Sequence, residues 1–178
     1  NSIPGQGTTF TIYLPSLETD HAVNQDQAML QKVPPGGSET VLLVDDEAPF
    51  VETMTKRLTK RNLSVLKALS GEEALQVLKE DDRVDVVILD VKMPGLDGIE
   101  TLKEIRKEHP LVEVIMLTGH ATVETSIEGM RLGAFDYLMK PCDMDVLMEK
   151  VTLSTKKKRD HEEKIREARV SAILKART

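Results

Sequence analysis

The sequence predicts a doubly wound α/β fold, in which a parallel β-sheet lies between two layers of helices. From residue 39 onward, short and wholly apolar segments alternate five times with segments whose apolar residues recur at helical spacing. Strands that are joined through helices run parallel, with right-handed crossovers. Continuous apolar runs are typical of strands that helices cover on both faces. Together these patterns favour a sheet whose ligand site lies at the carboxyl ends of its strands.

The five strands and five helices follow in chain order. The predicted strands are residues 41–44, 63–66, 86–89, 114–117 and 135–139. The helices after them are marked by Phe50, Met54 and Leu58, by Ala74, Leu75 and Leu78, by Ile99, Leu102 and Ile105, by Val123, Ile127 and Met130, and by Leu147 and Val151. The last helix is predicted to extend to Lys175. We expect the flavodoxin-like strand order 2-1-3-4-5, in which strand one neighbours strand three.

Composition excludes several classes of protein. The chain has 178 residues, of which 40% are hydrophobic and 30% charged, and Cys142 is its single cysteine, so an internal disulfide and a multi-cysteine metal site are excluded. No apolar run approaches the length needed to cross a bilayer, and no signal peptide starts the chain. We therefore expect a cytoplasmic fragment without membrane contact, from a parent protein that is membrane-anchored upstream. Residues 39–154 carry 14 Lys and Arg against 23 acids, which argues against nucleic-acid binding.

Four segments are predicted along the chain. Residues 1–17 contain one half-buried strand, with Phe10, Ile12 and Leu14 at period two. Residues 18–38 are a polar linker, and residues 39–154 are the α/β domain. Residues 155–178, with nine Lys and Arg against four acids, form a basic helical extension. A solvated helix and a weak coiled-coil or partner helix remain alternatives for that extension.

Polar side chains follow four of the predicted strands at the point where each strand ends. Asp45 and Asp46 follow strand one, Asp90 follows strand three, Thr118 follows strand four and Lys140 follows strand five. Three close carboxylates repel one another and raise one another's pKa. Mg²⁺ prefers such oxygen ligands, and the lysine and the threonine complete a cluster suited to phosphoryl transfer onto a carboxylate.

This arrangement resembles the receiver domains of two-component response regulators over residues 39–154. The resemblance rests on four motifs, which are Val44-Asp45-Asp46-Glu47, residues 89–98 (Leu-Asp-Val-Lys-Met-Pro-Gly-Leu-Asp-Gly), residues 117–121 (Leu-Thr-Gly-His-Ala) and residues 137–141 (Tyr-Leu-Met-Lys-Pro). It implies that Asp90 accepts a phosphoryl group from a kinase phosphohistidine. It also implies that Asp46 coordinates Mg²⁺ directly and Asp45 partly through water, and that Asp90 and the backbone carbonyl of Lys92 complete the ligands.

The resemblance assigns further roles around Asp90. It implies that Lys140 and Thr118 bind phosphoryl oxygens, that Thr118 and Tyr137 form the conformational switch, and that the bond before Pro141 is cis. Dephosphorylation needs a water in line with the phosphoryl group. We expect Lys92 and His120 to flank its approach and to tune the rate without performing chemistry.

The opening segment has a resemblance of its own. Pro4-Gly5-Gln6-Gly7-Thr8-Thr9-Phe10, followed by Ile12-Tyr13-Leu14-Pro15, is similar to the end of a histidine-kinase ATP-binding domain. Upstream of a receiver domain it implies a hybrid histidine kinase. The fragment lacks the other kinase motifs, so we expect it only to phosphorylate itself at Asp90 and to dephosphorylate itself. The expected partners are the phosphohistidine domain of the same parent chain, a downstream histidine phosphotransfer domain and, weakly, a second copy.

Four other interpretations suit parts of the same pattern. The segment from Asp90 to Gly95 also suits a simple strand-ending turn, with Asp97 capping the next helix. A phosphatase with an Asp nucleophile also uses Mg²⁺, but that family carries Asp-x-Asp after its first strand, where this chain has adjacent Asp45 and Asp46. A transcription regulator would need more than the residues after 154. A pseudo-receiver that only binds partners would not need all five site residues.

Overall fold

The computed structural model describes residues 39–119 and 122–175, except for the side chain of Val123. The predicted kinase remnant at 1–17, with its strand at 8–14, and the linker at 18–38 lie outside the described residues. Among the described helices, none is long and apolar enough to span a bilayer.

Strands and helices alternate as the sequence predicts. The strands are β1 (Thr40–Val44), β2 (Ser64–Ala68), β3 (Val86–Leu89), β4 (Glu113–Thr118) and β5 (Asp136–Met139). The helices are α1 (Ala48–Thr59), α2 (Gly71–Glu80), α3 (Gly98–Glu108), α4 (Val123–Arg131) and α5 (Met144–Lys175). The largest difference is at β2, which ends two residues later than predicted because Lys67 and Ala68 continue the pairing with β1.

The five strands form one parallel sheet in the order β2-β1-β3-β4-β5. This confirms the predicted fold class. Successive side chains of a strand point to opposite faces of the sheet. In β1, for example, Leu42 and Val44 therefore join one buried cluster with α2 and α3, while Val41 and Leu43 join another with α1 and α5.

Side-chain caps fix where three helices begin. Ser70 accepts from the backbone N–H of Glu73 at the start of α2, and Thr122 accepts from that of Thr125 at the start of α4. Asp97 caps α3 in a capping box with Glu100, as the sequence predicts. In α4 the apolar pattern marks the helix but not its buried face, since Ile127 and Met130 are 47% and 48% exposed.

Helix α5 has 32 residues and extends to Lys175, as predicted. Its burial does not stop at the predicted boundary after residue 154, because Thr155 and Lys158 are buried as well. Lys158 Nζ donates to the carbonyl of Val84 at 2.8 Å and lies 3.1 Å from Asp85 Oδ1, just before β3. The first turn after the boundary is therefore anchored on the sheet rather than solvated.

The neighbours of Lys158 strengthen this anchor. Lys157 pairs with Glu113 Oε1 at 2.9 Å, at the first residue of β4, and Arg159 pairs with Glu39 Oε1 at 3.6 Å, just before β1. Three consecutive basic residues thus contact carboxylates at the amino ends of three strands. This basic clamp (Lys157, Lys158 and Arg159) lies at the edge of the sheet opposite the carboxyl ends.

Candidate functional site

The ends of β1, β3 and β5 place three charged side chains at one edge of the sheet. The backbone N–H of Asp45 donates to Ala68 O at 3.2 Å, and that of Asp90 donates to Val44 O at 2.9 Å. The N–H of Lys140 donates to the carbonyl of Thr118 at 2.8 Å. These bonds continue the sheet's hydrogen bonding one residue beyond the strands, so the backbone of each charged residue is held in register with its neighbour.

The side chains of Asp45, Asp90 and Lys140 meet at this edge. Lys140 Nζ forms a short ion pair with Asp45 Oδ2 and lies 3.1 Å from Asp90 Oδ1. The three side chains are only 2% (Asp45), 7% (Asp90) and 16% (Lys140) exposed, so water screens their charges weakly. The predicted convergence of the lysine with the carboxylates of strands one and three is present in the structure.

Burial and charge oppose each other in this cluster. Burial raises the pKa of Asp45 above its ordinary value, and the hydrogen bond from Lys140 offsets only part of that effect. Burial also acts to lower the pKa of Lys140, but the hydrogen bond to Asp45 and the charge of Asp90 outweigh it, and the pKa rises. Lys140 therefore stays a cation at neutral pH, and it balances one of the two carboxylate charges that it contacts.

The structure brings the expected metal ligands together only in part. Asp46 is exposed, and among the described residues no group of three or more His, Cys, Asp or Glu side chains is placed to hold a metal ion. Asp45 and Asp90 converge on the Lys140 ammonium, whose charge offsets the repulsion between them. The expected metal ligation by Asp45, Asp46 and Asp90 stays a prediction.

The loop after β3 holds the Asp90 carboxylate from its other side. The backbone N–H of Lys92 donates to Asp90 Oδ2 at 2.8 Å, while the Lys92 side chain is exposed. Further along, Gly95 has a φ of 76°, and the N–H of Leu96 donates to Glu72 Oε1 at 3.1 Å. A left-handed glycine and a carboxylate from α2 thus shape the loop that positions Asp90.

Gly98 brings the start of α3 against the backbone of Asp90. A Cβ at this position would lie 2.0 Å from the carbonyl oxygen of Asp90 and 2.8 Å from Val91 Cα. We expect Gly98→Ala to lower the free energy of unfolding by about 1–3 kcal/mol, because backbone atoms must move. Urea denaturation measures this. Gly129→Ala in α4 is the matched control, with its nearest atoms at 3.7 Å, and it should lose no stability. Equal stability of the two variants would contradict the expectation.

The remaining predicted residues lie around this centre. Thr118 is fully buried at the end of β4. Tyr137 in β5 is half-buried against the core, and its hydroxyl lies 3.2 Å from Thr125 Oγ1 in α4. His120 lies outside the described residues. The bond between Lys140 and Pro141 is cis, which confirms that prediction.

Phe50 belongs to the site although its sequence pattern indicated only a core position. It lies in the first turn of α1, and its ring centroid is 4.1 Å from Lys140 Nζ. Helical spacing with Met54 and Leu58 does not distinguish a core residue from one at the end of the sheet. The signal that could have found it is its place five residues after Asp45, at the start of the helix that leaves the site.

The fold and these charged strand ends define a class of α/β domain, and comparisons with known proteins define the family. A model of the response regulator receiver domain matches residues 41–152. Transcriptional regulatory protein ZraR of Salmonella typhimurium (strain LT2) is 38% identical over 113 residues, 64% of this chain and 25% of that protein. Regulatory protein AtoC of Escherichia coli (strain K12) is 39% identical over 107 residues, 60% of this chain and 23% of that protein.

Solved structures agree with this assignment. The crystal structure of a response regulator receiver domain protein from Clostridium thermocellum is 36% identical, with a TM-score of 0.66, over 68% of this chain and 97% of that one. The chain belongs to the response regulator receiver domain family, the receivers of two-component signalling. It spans about a quarter of the length of the curated relatives that it matches.

Proposed function

We propose that Asp90 accepts a phosphoryl group from a phosphohistidine of a partner kinase. The observation that carries this proposal is the Asp90 carboxylate itself, which is nearly buried, lies at the end of the central strand β3 and has Lys140 Nζ at 3.1 Å. An Asp90 oxygen forms the new bond to phosphorus while the P–N bond of the donor breaks, and its electron pair leaves with the imidazole. Lys140 stays protonated and neutralises charge on the phosphoryl oxygens.

Mg²⁺ is the proposed cofactor. The available donors are the carboxylates of Asp45, Asp46 and Asp90 and the backbone carbonyl of Lys92, an all-oxygen set of the kind Mg²⁺ prefers. Lys140 alone leaves this set with excess negative charge, and burial of Asp45 makes a neighbouring cation favourable. The chemistry of these donors therefore fits the ion. When bound, Mg²⁺ supplies positive charge that stabilises the phosphoryl oxygens.

Phosphorylation by a small donor tests both proposals. We expect the chain to gain one phosphoryl group in intact-mass measurements after incubation with acetyl phosphate and Mg²⁺, and to gain none when EDTA removes the metal. Addition of excess Mg²⁺ to the EDTA sample should restore the mass gain. Phosphorylation that is equally fast with and without EDTA would contradict the metal requirement, and no gain under either condition would contradict the phosphoacceptor role.

The rate of dephosphorylation is proposed to depend on Lys92 and His120. Lys92 lies two residues after Asp90 with its side chain exposed, where it can meet a water that approaches the phosphoryl group. We expect Lys92→Ala and His120→Ala each to change the half-life of the phosphorylated chain several-fold, because both alter access of that water without altering Asp90. Intact mass followed over time after removal of the donor measures the half-life. An unchanged half-life in both variants would contradict the proposal.

A switch involving Thr118 and Tyr137 is part of the proposal. Thr118 is buried beside the site, and Tyr137 joins β5 to α4 through its hydroxyl contact with Thr125. Binding of a phosphoryl oxygen by the Thr118 hydroxyl would change the space available to the Tyr137 ring. That change would be passed to α4, whose exposed Ile127 and Met130 lie on the surface.

The setting of the receiver domain is also part of the proposal. We propose a hybrid histidine kinase as the parent protein, and the resemblance of residues 4–15 supports this. We also propose a histidine phosphotransfer domain as the acceptor, weak self-association of the chain and a cytoplasmic location. The curated relatives carry the name of transcriptional regulatory proteins, which is the alternative setting for a receiver domain. Sequencing of the gene on both sides of this segment distinguishes the two, because a kinase parent must encode a phosphoacceptor-histidine helix upstream.

A further inference from the structure

Phe50 contacts the ammonium group of Lys140, the cation of the candidate site. Its ring centroid lies 4.1 Å from Lys140 Nζ, well inside the range of about 6 Å over which a cation is attracted to an aromatic face. The ring is half-buried and packs on the core cluster beneath the sheet, which includes Met54 and Leu43. Packing on this cluster therefore also holds the ring in place.

Among the described residues, three neighbours of Lys140 thus attract its ammonium group, and they differ in kind. Asp45 and Asp90 are carboxylates, and both are proposed reactants or metal ligands, whose charge is shared with other groups during phosphoryl transfer. The Phe50 ring attracts a cation without carrying charge, and it forms no bond in the reaction. Phosphorylation of Asp90 therefore leaves the ring's own capacity to attract the ammonium unchanged.

We propose that Phe50 is a positioning residue, whose ring face holds the Lys140 ammonium at Asp90 for phosphoryl transfer. The inference rests on the proposed function of Asp90. This role extends the site to α1, because Phe50 on that helix orients Lys140, which follows β5. Phe50 acts through Lys140 and does not itself contact the phosphoryl group.

Substitutions at Phe50 separate this role from simple packing. Phe50→Leu keeps an apolar side chain but removes the aromatic face, while Phe50→Tyr keeps the face. We expect Phe50→Leu to lower the initial rate of phosphorylation by acetyl phosphate and Mg²⁺ about three- to tenfold, and Phe50→Tyr to stay within about twofold of wild type. Should Phe50→Leu not fold, Phe50→Met provides the same comparison.

A double-mutant cycle with Lys140 tests whether the effect passes through the lysine. In a Lys140→Met background, Phe50→Leu should cause no further loss of rate, because no cation remains above the ring. A second readout needs neither metal nor donor. In the wild type the ring should shift the proton resonances of the Lys140 ε-methylene group upfield in NMR spectra, and Phe50→Leu should abolish that shift.

The outcomes distinguish this inference from the proposed function. If the wild type is phosphorylated and Phe50→Leu reacts at the same rate, the positioning role is wrong while the phosphoacceptor role stands. The role is equally wrong if Phe50→Tyr loses as much rate as Phe50→Leu, or if Phe50→Leu is as harmful in the Lys140→Met background. If the wild type takes no phosphoryl group, the proposed function fails and the inference fails with it.

Discussion

Asp90→Asn is expected to abolish phosphorylation by acetyl phosphate and Mg²⁺ while leaving the fold intact. The amide is nearly the same size as the carboxylate, so packing at the end of β3 is kept, but an amide oxygen is a far weaker nucleophile than a carboxylate. Asn also keeps an oxygen that accepts from the backbone N–H of Lys92, now 2.8 Å from Asp90 Oδ2. Intact mass and circular dichroism, measured on the same sample, give the two readouts.

Asp82→Asn provides the matched control, because Asp82 is exposed and lies between α2 and β3, before the amino end of the strand whose carboxyl end carries Asp90. It should take up one phosphoryl group at the rate of the wild type. A full mass gain in Asp90→Asn would show that another residue is the acceptor. Loss of the circular dichroism signal in Asp90→Asn would instead show that the carboxylate is needed for folding.

Lys158→Ala is expected to lower the free energy of unfolding by about 3 kcal/mol. Lys158 is only 6% exposed, and its removal leaves the carbonyl of Val84 without this donor and Asp85 without this cation. Loss of one partner of a buried ion pair is strongly destabilising, because the other charge stays buried. Urea denaturation of the whole chain measures the change.

The control for Lys158 is a nearby lysine on the same helix that lies outside the basic clamp. Lys156 is exposed, so Lys156→Ala should change the free energy of unfolding by no more than about 0.5 kcal/mol. Similar stabilities of the two variants would contradict the view that the basic clamp anchors α5 on the sheet. They would instead support the solvated extension that the charge pattern suggested.

The order of the elements could be predicted because buried strands leave a recognisable apolar pattern in the sequence. Strands covered on both faces are apolar throughout, as residues 86–89 are, and their short length separates them from buried helices. The polar residues that follow such strands must lie at one edge of a parallel sheet. This rule and the expected strand order together predicted that Asp45, Asp90 and Lys140 lie close to one another.

The details that escaped prediction depend on contacts between distant parts of the chain. Lys158 stands in a highly charged segment, which is typical of solvated helix, and only the carboxylate before β3 explains its burial. The position of the Lys140 ammonium between Asp45 and Asp90 depends on how the ends of β1, β3 and β5 lie relative to one another. Ile127 and Met130 match the apolar spacing of a buried helix face, but α4 leaves both exposed.

Localisation of the phosphoryl group tests the central claim most directly. The chain would be incubated with acetyl phosphate and Mg²⁺, treated with borohydride, which reduces an aspartyl phosphate to homoserine, and digested for tandem mass spectrometry. We predict homoserine at residue 90 and unmodified aspartate at residues 45 and 46. Homoserine at either of those two positions, or at none of the three in a chain whose peptides are fully covered, would contradict the assignment of Asp90 as the phosphoacceptor.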